Sequence, residues 1–146
     1  MKFKEAVTYD DMLLVPQYSD IKSRSEVDLS SNLSPDLRLQ LPIIASPMDT
    51  VCEADMAETM SRYGGLGIVH RYNTIEQQAK LVSDAAHKSR GLTAGAAVGV
   101  TGDYLERAQA LVSAGADVLC IDVAHGHHIM MKEALVSLRD RFGTDG

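Results

Sequence analysis

Polar and titratable side chains gather in three short stretches of this sequence, Ser46-Pro47-Met48-Asp49-Thr50, His70-Arg71 and Asp122-Val123-Ala124-His125-Gly126-His127-His128, with Gly99 at the matching place between the last two. The last stretch sets three imidazoles near a carboxylate. Histidines at alternate positions can share one side of an extended loop, so His125, His127 and His128 with Asp122 are candidate metal ligands, as a metal-dependent hydrolase would use. Such a site needs more ligands from later strands and the other stretches do not fit it, so no metal is expected. Asp122 either binds a ligand or caps the turn that follows it. Ser46, standing before a proline, either binds a ligand or starts a turn. Met48 on its own reads equally well as ordinary core. His70 and Arg71 suit an anionic phosphate, or form a solvated charged rim. Met130 and Met131 read as helix core.

These stretches are the ends of a repeating pattern. From residue 42 onward, short strand-like apolar runs alternate with longer amphipathic ones, the signature of βα units and a parallel sheet. The strand-like runs are 42–46, 66–70, 93–98 and 118–122, and their last residues recur every 24 to 28 positions. That interval holds one strand, one helix and two short loops. Thr74 and Gln77 form a capping-box pair, so a helix should start at Ile75, with Ile75, Ala79 and Val82 on its apolar face. Leu105, Ala108, Leu111 and Val112 make a second apolar stripe, and Gly115 stands where a left-handed cap is wanted. A third helix is expected over 53–61, with Ala54, Ala57 and Met60 on one face and the glycines at 63–65 ending it.

Four such units form either half of a closed barrel or part of an open doubly wound sheet, and in both the ligands gather beyond the C-terminal strand ends. No GxGxxG loop follows the first strand, which favours the barrel. A complete (β/α)8 barrel takes roughly 250 residues, more than this chain has. The expected fold class is therefore α/β, the N-terminal half of a (β/α)8 TIM barrel spanning 42–146. Residues 1–41 are polar and turn-rich with the apolar anchors Met12, Leu13, Leu14 and Val15, and are expected to pack on the barrel as an extension or to reach a neighbouring subunit.

Bulk properties narrow the function classes. The 146 residues are 45% hydrophobic, enough for a core, and carry a net charge of −6 with both signs mixed along the chain. No basic stripe offers itself to a phosphate backbone, so nucleic acid is not an expected partner. The apolar runs are too short for a membrane span, and the first residues lack the apolar core of a signal peptide. The two cysteines, Cys52 and Cys120, form no paired framework, which suits a reducing, cytoplasmic compartment.

Six stretches, in order, resemble the family of inosine monophosphate dehydrogenases and guanosine monophosphate reductases: YDDMLLVPQYS at 9–19, SRSEVDLSSNL at 23–33, SPMDTV at 46–51, GGLGIVHRYNTIEQQ at 64–78, GAAVGV at 95–100 and IDVAHGHH at 121–128. The resemblance implies a purine-nucleotide oxidoreductase on a (β/α)8 barrel, using NAD or NADP and forming a homo-oligomer, a tetramer in the family. It implies that Ser46 and Met48 lie beside the bound purine nucleoside monophosphate, Met48 against the base. It implies that Asp122 accepts hydrogen bonds from a ribose hydroxyl of the cofactor, with Ala124 and His125 on the same wall.

In the family a cysteine thiolate adds to the purine C2. That cysteine follows the sixth strand, and the phosphate site, monovalent-cation loop and mobile flap also belong to the later strands. The chain stops at Gly146, so no catalytic residue is expected within it. A half-site without turnover of its own is expected, either awaiting a complementary C-terminal half or serving as a binding and assembly module. SPMDTV and GGLGIVH look like the dehydrogenase. The direct passage from the second helix to GAAVGV, SRSE at 23–26 and His70-Arg71 have the character of the reductase. Of the two, the resemblance points to the dehydrogenase, oxidising inosine monophosphate to xanthosine monophosphate with NAD, with the NADPH-dependent reductase as the alternative.

Overall fold

The structure is a computed structural model that describes residues 3–89 and 93–143. A short antiparallel pair, β1 (Ser31–Asn32) and β2 (Arg38–Leu39), precedes β3 (Ile44–Ala45). Then follow α1 (Ala54–Arg62), β4 (Leu66–Val69), α2 (Ile75–Ser89), β5 (Gly95–Val98), α3 (Tyr104–Ser113), β6 (Val118–Ile121) and α4 (Ile129–Phe142). Each strand from β3 onward leads into a helix, and the four strands pair in parallel in the order β3-β4-β5-β6. Strand order follows chain order without the reversal that a doubly wound sheet carries at its switch point. An α/β fold with a four-stranded parallel sheet of this order fits part of a barrel.

Local chemistry accounts for the element ends. The Thr74 N–H donates to Gln77 Oε1 at 3.1 Å and the Gln77 N–H donates to Thr74 Oγ1 at 3.2 Å, closing the expected capping box and starting α2 at Ile75. Gly115, with φ +100°, follows α3 in the left-handed conformation that a side chain would resist. Each strand but β5 ends one residue earlier than the apolar pattern suggests, and α1 is shifted one residue along from 53–61. Helix and strand ends fray on this scale.

Alternation along the strands divides the core between the two faces of the sheet. Val69, Ala96 and Val98 face the helices and pack with Ala57, Val82, Ala85, Ala108 and Leu111. Leu66, Ile68 and Ala97 form a second cluster, joined by Leu39. Gly67 lets α1 lie close on β4: a Cβ there would stand 2.4 Å from Ala57 Cα. Met130 and Met131, expected in the helix core, are only half-buried, because α4 turns Ala134 and Leu138 inward instead.

Among the described residues of the first 41, Leu39 alone is buried, and the Leu41 N–H donates to the Gly64 carbonyl at 2.9 Å. The apolar anchors further up the chain are uncovered, with Leu13 94% and Leu14 99% exposed. Among the described residues, no helix is long and apolar enough to cross a membrane.

Candidate functional site

Three strand ends meet on one side of the sheet. The loop after β3 is folded on its own backbone: the Met48 N–H donates to the Ser46 carbonyl at 2.8 Å, and the N–H groups of Val51 and Cys52 both donate to the Met48 carbonyl at 3.0 Å. This turn leaves Ser46 exposed and Met48 50% exposed, so Met48 is not core. At the end of β4, His70 is 4% exposed, and its N–H donates to the Cys52 carbonyl at 3.3 Å, tying β4 to the loop after β3. The His70 ring accepts the Tyr72 N–H at Nδ1 (3.2 Å), which leaves Nε2, 3.3 Å from Glu53 Oε1, as the protonated nitrogen.

Arg71 reaches the other way. Its Nε donates to Asp122 Oδ2 at 3.2 Å and a terminal nitrogen donates to the Asp122 carbonyl at 3.1 Å. The Asp122 N–H in turn donates to the Val98 carbonyl at 2.9 Å. Ala124 and His125 follow on an exposed loop. The residues picked out by sequence thus fall into two groups, Ser46 with Met48 and Asp122 with Ala124 and His125. The dipeptide His70-Arg71 contacts the loop that carries the first and the residue that leads the second.

Two features had no signal in the sequence. Gln78, wholly buried, donates from Nε2 to the carbonyls of Val69 (3.3 Å) and Ala97 (2.8 Å), capping the ends of β4 and β5 from below. Arg107 donates to Gln78 Oε1 at 2.8 Å, to the Asn73 carbonyl at 3.1 Å and to Asp103 Oδ2 at 3.1 Å. A small cavity of about 140 Å³ is lined by Val100, Val123, His125, His128, Met130 and Met131; Asp122 is not among its lining residues.

Two of the three clustered histidines make local contacts. His128 accepts the Met130 N–H at Nδ1 (3.2 Å) and so caps α4, and the rings of His125 and His128 lie edge to face at 6.2 Å. Among the described residues no group of three or more His, Cys, Asp or Glu side chains could hold a metal ion.

Residues 6–145 match the profile of the IMP dehydrogenase / GMP reductase domain. The chain belongs to this family. An inosine-5'-monophosphate dehydrogenase of Cryptosporidium parvum is 32% identical over 182 residues, covering 97% of this chain and 45% of the relative. Shorter matches are closer: an inosine-5'-monophosphate dehydrogenase of Nitrosopumilus maritimus is 52% identical over 82 residues (56% of this chain, 17% of the relative). A GMP reductase of Leishmania donovani is 53% identical over 78 residues (53% of this chain, 16% of the relative). The chain therefore spans less than half the length of these relatives.

Against the family's thiolate chemistry, both cysteines are poorly placed. Cys52 has no exposed surface, and burial pushes its thiol up to about 11. Cys120 lies within β6, where burial and then the Asp122 carboxylate push its thiol up. A nucleophilic cysteine needs the opposite shift.

Proposed function

We propose that this chain supplies the nucleotide loop and the cofactor wall of a purine-nucleotide oxidoreductase built on a (β/α)8 barrel, which oxidises inosine monophosphate to xanthosine monophosphate with NAD. The observation that carries this reading is the meeting of the three strand ends: Cys52, at the end of the Ser46 loop, bonds to His70, and the adjacent Arg71 holds Asp122. Ligands of parallel βα folds gather at that end of the sheet.

The residues suit the parts given to them. Met48 offers a half-exposed apolar side chain to a flat base, and Ser46 a hydroxyl beside it. Asp122 keeps Oδ1 and part of Oδ2 for adjacent hydroxyls, since an ionised carboxylate has about four acceptor sites. The cavity of about 140 Å³ on the loop that follows Asp122, lined by Val123 and His125 among others, is apolar enough for part of a dinucleotide. The bound dinucleotide would supply a nicotinamide ring as hydride acceptor. The chain's own residues bind and orient; the nucleophilic thiol, the phosphate site and any monovalent cation are assigned to other parts of the whole protein. Homo-oligomer formation and a cytoplasmic location belong to the same proposal.

A second reading, reductive deamination of guanosine monophosphate with NADPH, is favoured by the 53% identity to a GMP reductase over 78 residues. Calorimetric titration with inosine monophosphate, guanosine monophosphate, NAD⁺ and NADPH tests both. Tighter binding of inosine monophosphate and NAD⁺ is expected. Preference for guanosine monophosphate and NADPH would reverse the direction, and no heat from any of the four at millimolar concentration would sink the nucleotide reading for this chain. Steady reduction of NAD⁺ by the chain alone with inosine monophosphate would refute the assignment of the thiol elsewhere.

A further inference from the structure

Arg71 is held from several sides before it touches Asp122. Its guanidinium carbon lies 5.6 Å from the centre of the Tyr72 ring, a cation–π distance. The neighbouring His70 is buried and hydrogen-bonded through its backbone N–H and ring Nδ1, fixing the base from which Arg71 extends. The guanidinium passes over Gly99, where even a Cβ would only come into ordinary contact at 3.6 Å. In this way an arginine at the end of β4 reaches across β5 to the end of β6, a residue 51 positions away.

We propose that Arg71 is a positioning residue for the dinucleotide cofactor: it orients the Asp122 carboxylate toward the adjacent hydroxyls of a ribose and does not itself bind the cofactor. The inference rests on the reading of Asp122 as the ribose acceptor. Two donors of one rigid, planar group grip the side chain and the main-chain carbonyl of the same residue, at 3.2 and 3.1 Å. That grip restricts rotation of the carboxylate and keeps Oδ1 out of the contact. A freely rotating carboxylate would have to be ordered when the ribose arrives, which costs affinity. Lysine carries the same charge on a single nitrogen and lacks the planar fork.

The test is a titration of the ¹⁵N-labelled chain with NAD⁺, followed by NMR through the amides of residues 122–128, for the parent and for Arg71→Met, Arg71→Lys, Asp122→Asn and the Arg71→Met/Asp122→Asn double variant. Preserved amide dispersion certifies that each is folded, and the lysine variant stands in if the methionine one is not. NAD⁺ affinity is expected to fall roughly tenfold in Arg71→Met, by a similar factor in Arg71→Lys, and no further in the double variant than in Asp122→Asn, because the two residues act as a unit. Full retention of affinity in Arg71→Lys would overturn the positioning role in favour of charge alone. Additive losses in the double variant would mean that Arg71 meets the cofactor directly, and would overturn it too. If Asp122→Asn weakens binding and Arg71→Met does not, the inference fails while the reading of Asp122 stands. If Asp122→Asn binds like the parent, or the parent amides do not shift at all, the reading of Asp122 fails and the inference falls with it.

Discussion

Arg107 and Gln78 meet at 2.8 Å beneath the strand ends, and each also donates to backbone carbonyls. Gln78 takes the carbonyls of Val69 and Ala97, while Arg107 takes the carbonyl of Asn73 in the loop that follows Arg71. Both side chains are buried, and the carboxylate facing Arg107 belongs to Asp103, half-exposed at the start of α3. Removing the guanidinium strands the buried Gln78 Oε1 away from water, at about 1–3 kcal/mol for an unsatisfied group, and takes a partner from the half-buried Asn73 carbonyl. Arg107→Met is therefore expected to lower stability by about 1–3 kcal/mol in urea denaturation with an unchanged slope. A loss below about 0.5 kcal/mol would show that solvent replaces the guanidinium without cost.

Gly67 carries a prediction from close approach. A methyl group there would stand 2.4 Å from Ala57 Cα and 3.1 Å from Cys52 Sγ, and the first contact is to backbone, which cannot swing aside. Gly67→Ala must push α1 away from β4, with an expected cost of about 1–3 kcal/mol or more by thermal or urea unfolding. Because α1 follows the Ser46 loop, the same substitution should also shift the amide resonances of 46–52. An unchanged spectrum would mean that the helix absorbs the methyl group without moving.

The capping box of α2 can be tested more gently. Thr74→Ala removes the hydroxyl that accepts the Gln77 N–H and is expected to cost about 1 kcal/mol, read as a shift in the urea midpoint. Thr74→Ser, which keeps the acceptor, should recover most of that loss. If serine is no better than alanine, the hydrogen bond contributes nothing and the threonine serves another purpose.

Local patterns and long-range pairs differed sharply in how much of them the sequence disclosed. The start of α2 was legible because Thr74 and Gln77 lie three residues apart and act on their own backbone. The strand ends were legible to within a residue because β4 and β5 are buried on both faces and read as unbroken apolar runs. Gln78 was not legible: glutamine is a common helix-surface residue, and only the β4 and β5 carbonyls above it reveal why it is buried. Nor was the Arg71–Asp122 contact, since a separation of 51 residues leaves no periodic trace. Met130 and Met131 were misread because apolarity fixes a preference for burial and does not say which side of α4 obtains it.

Cys52 supplies a pH signature with a definite sign. Its thiol is raised from 9.0 to about 11 by burial, so the folded chain holds this proton where the unfolded chain has begun to release it. The stability associated with that shift is fully present below the ordinary thiol range and is lost as pH rises through it toward about 11, with a slope of up to about 1.4 kcal/mol per pH unit. Cys120 is also raised and adds a loss of the same sign. Urea denaturation between pH 8 and 11 should accordingly show falling stability, and Cys52→Ala should flatten part of the fall; an equally steep fall in that variant would assign it to other groups. The same shift lowers the thiolate fraction and burial closes access to the sulfur, so a disulfide reagent should modify Cys52 more slowly in the folded chain than in urea. Rapid modification of Cys52 in native buffer would mean that α1 opens readily from β4, and would undercut the close packing over Gly67 from which the thiol's burial arises.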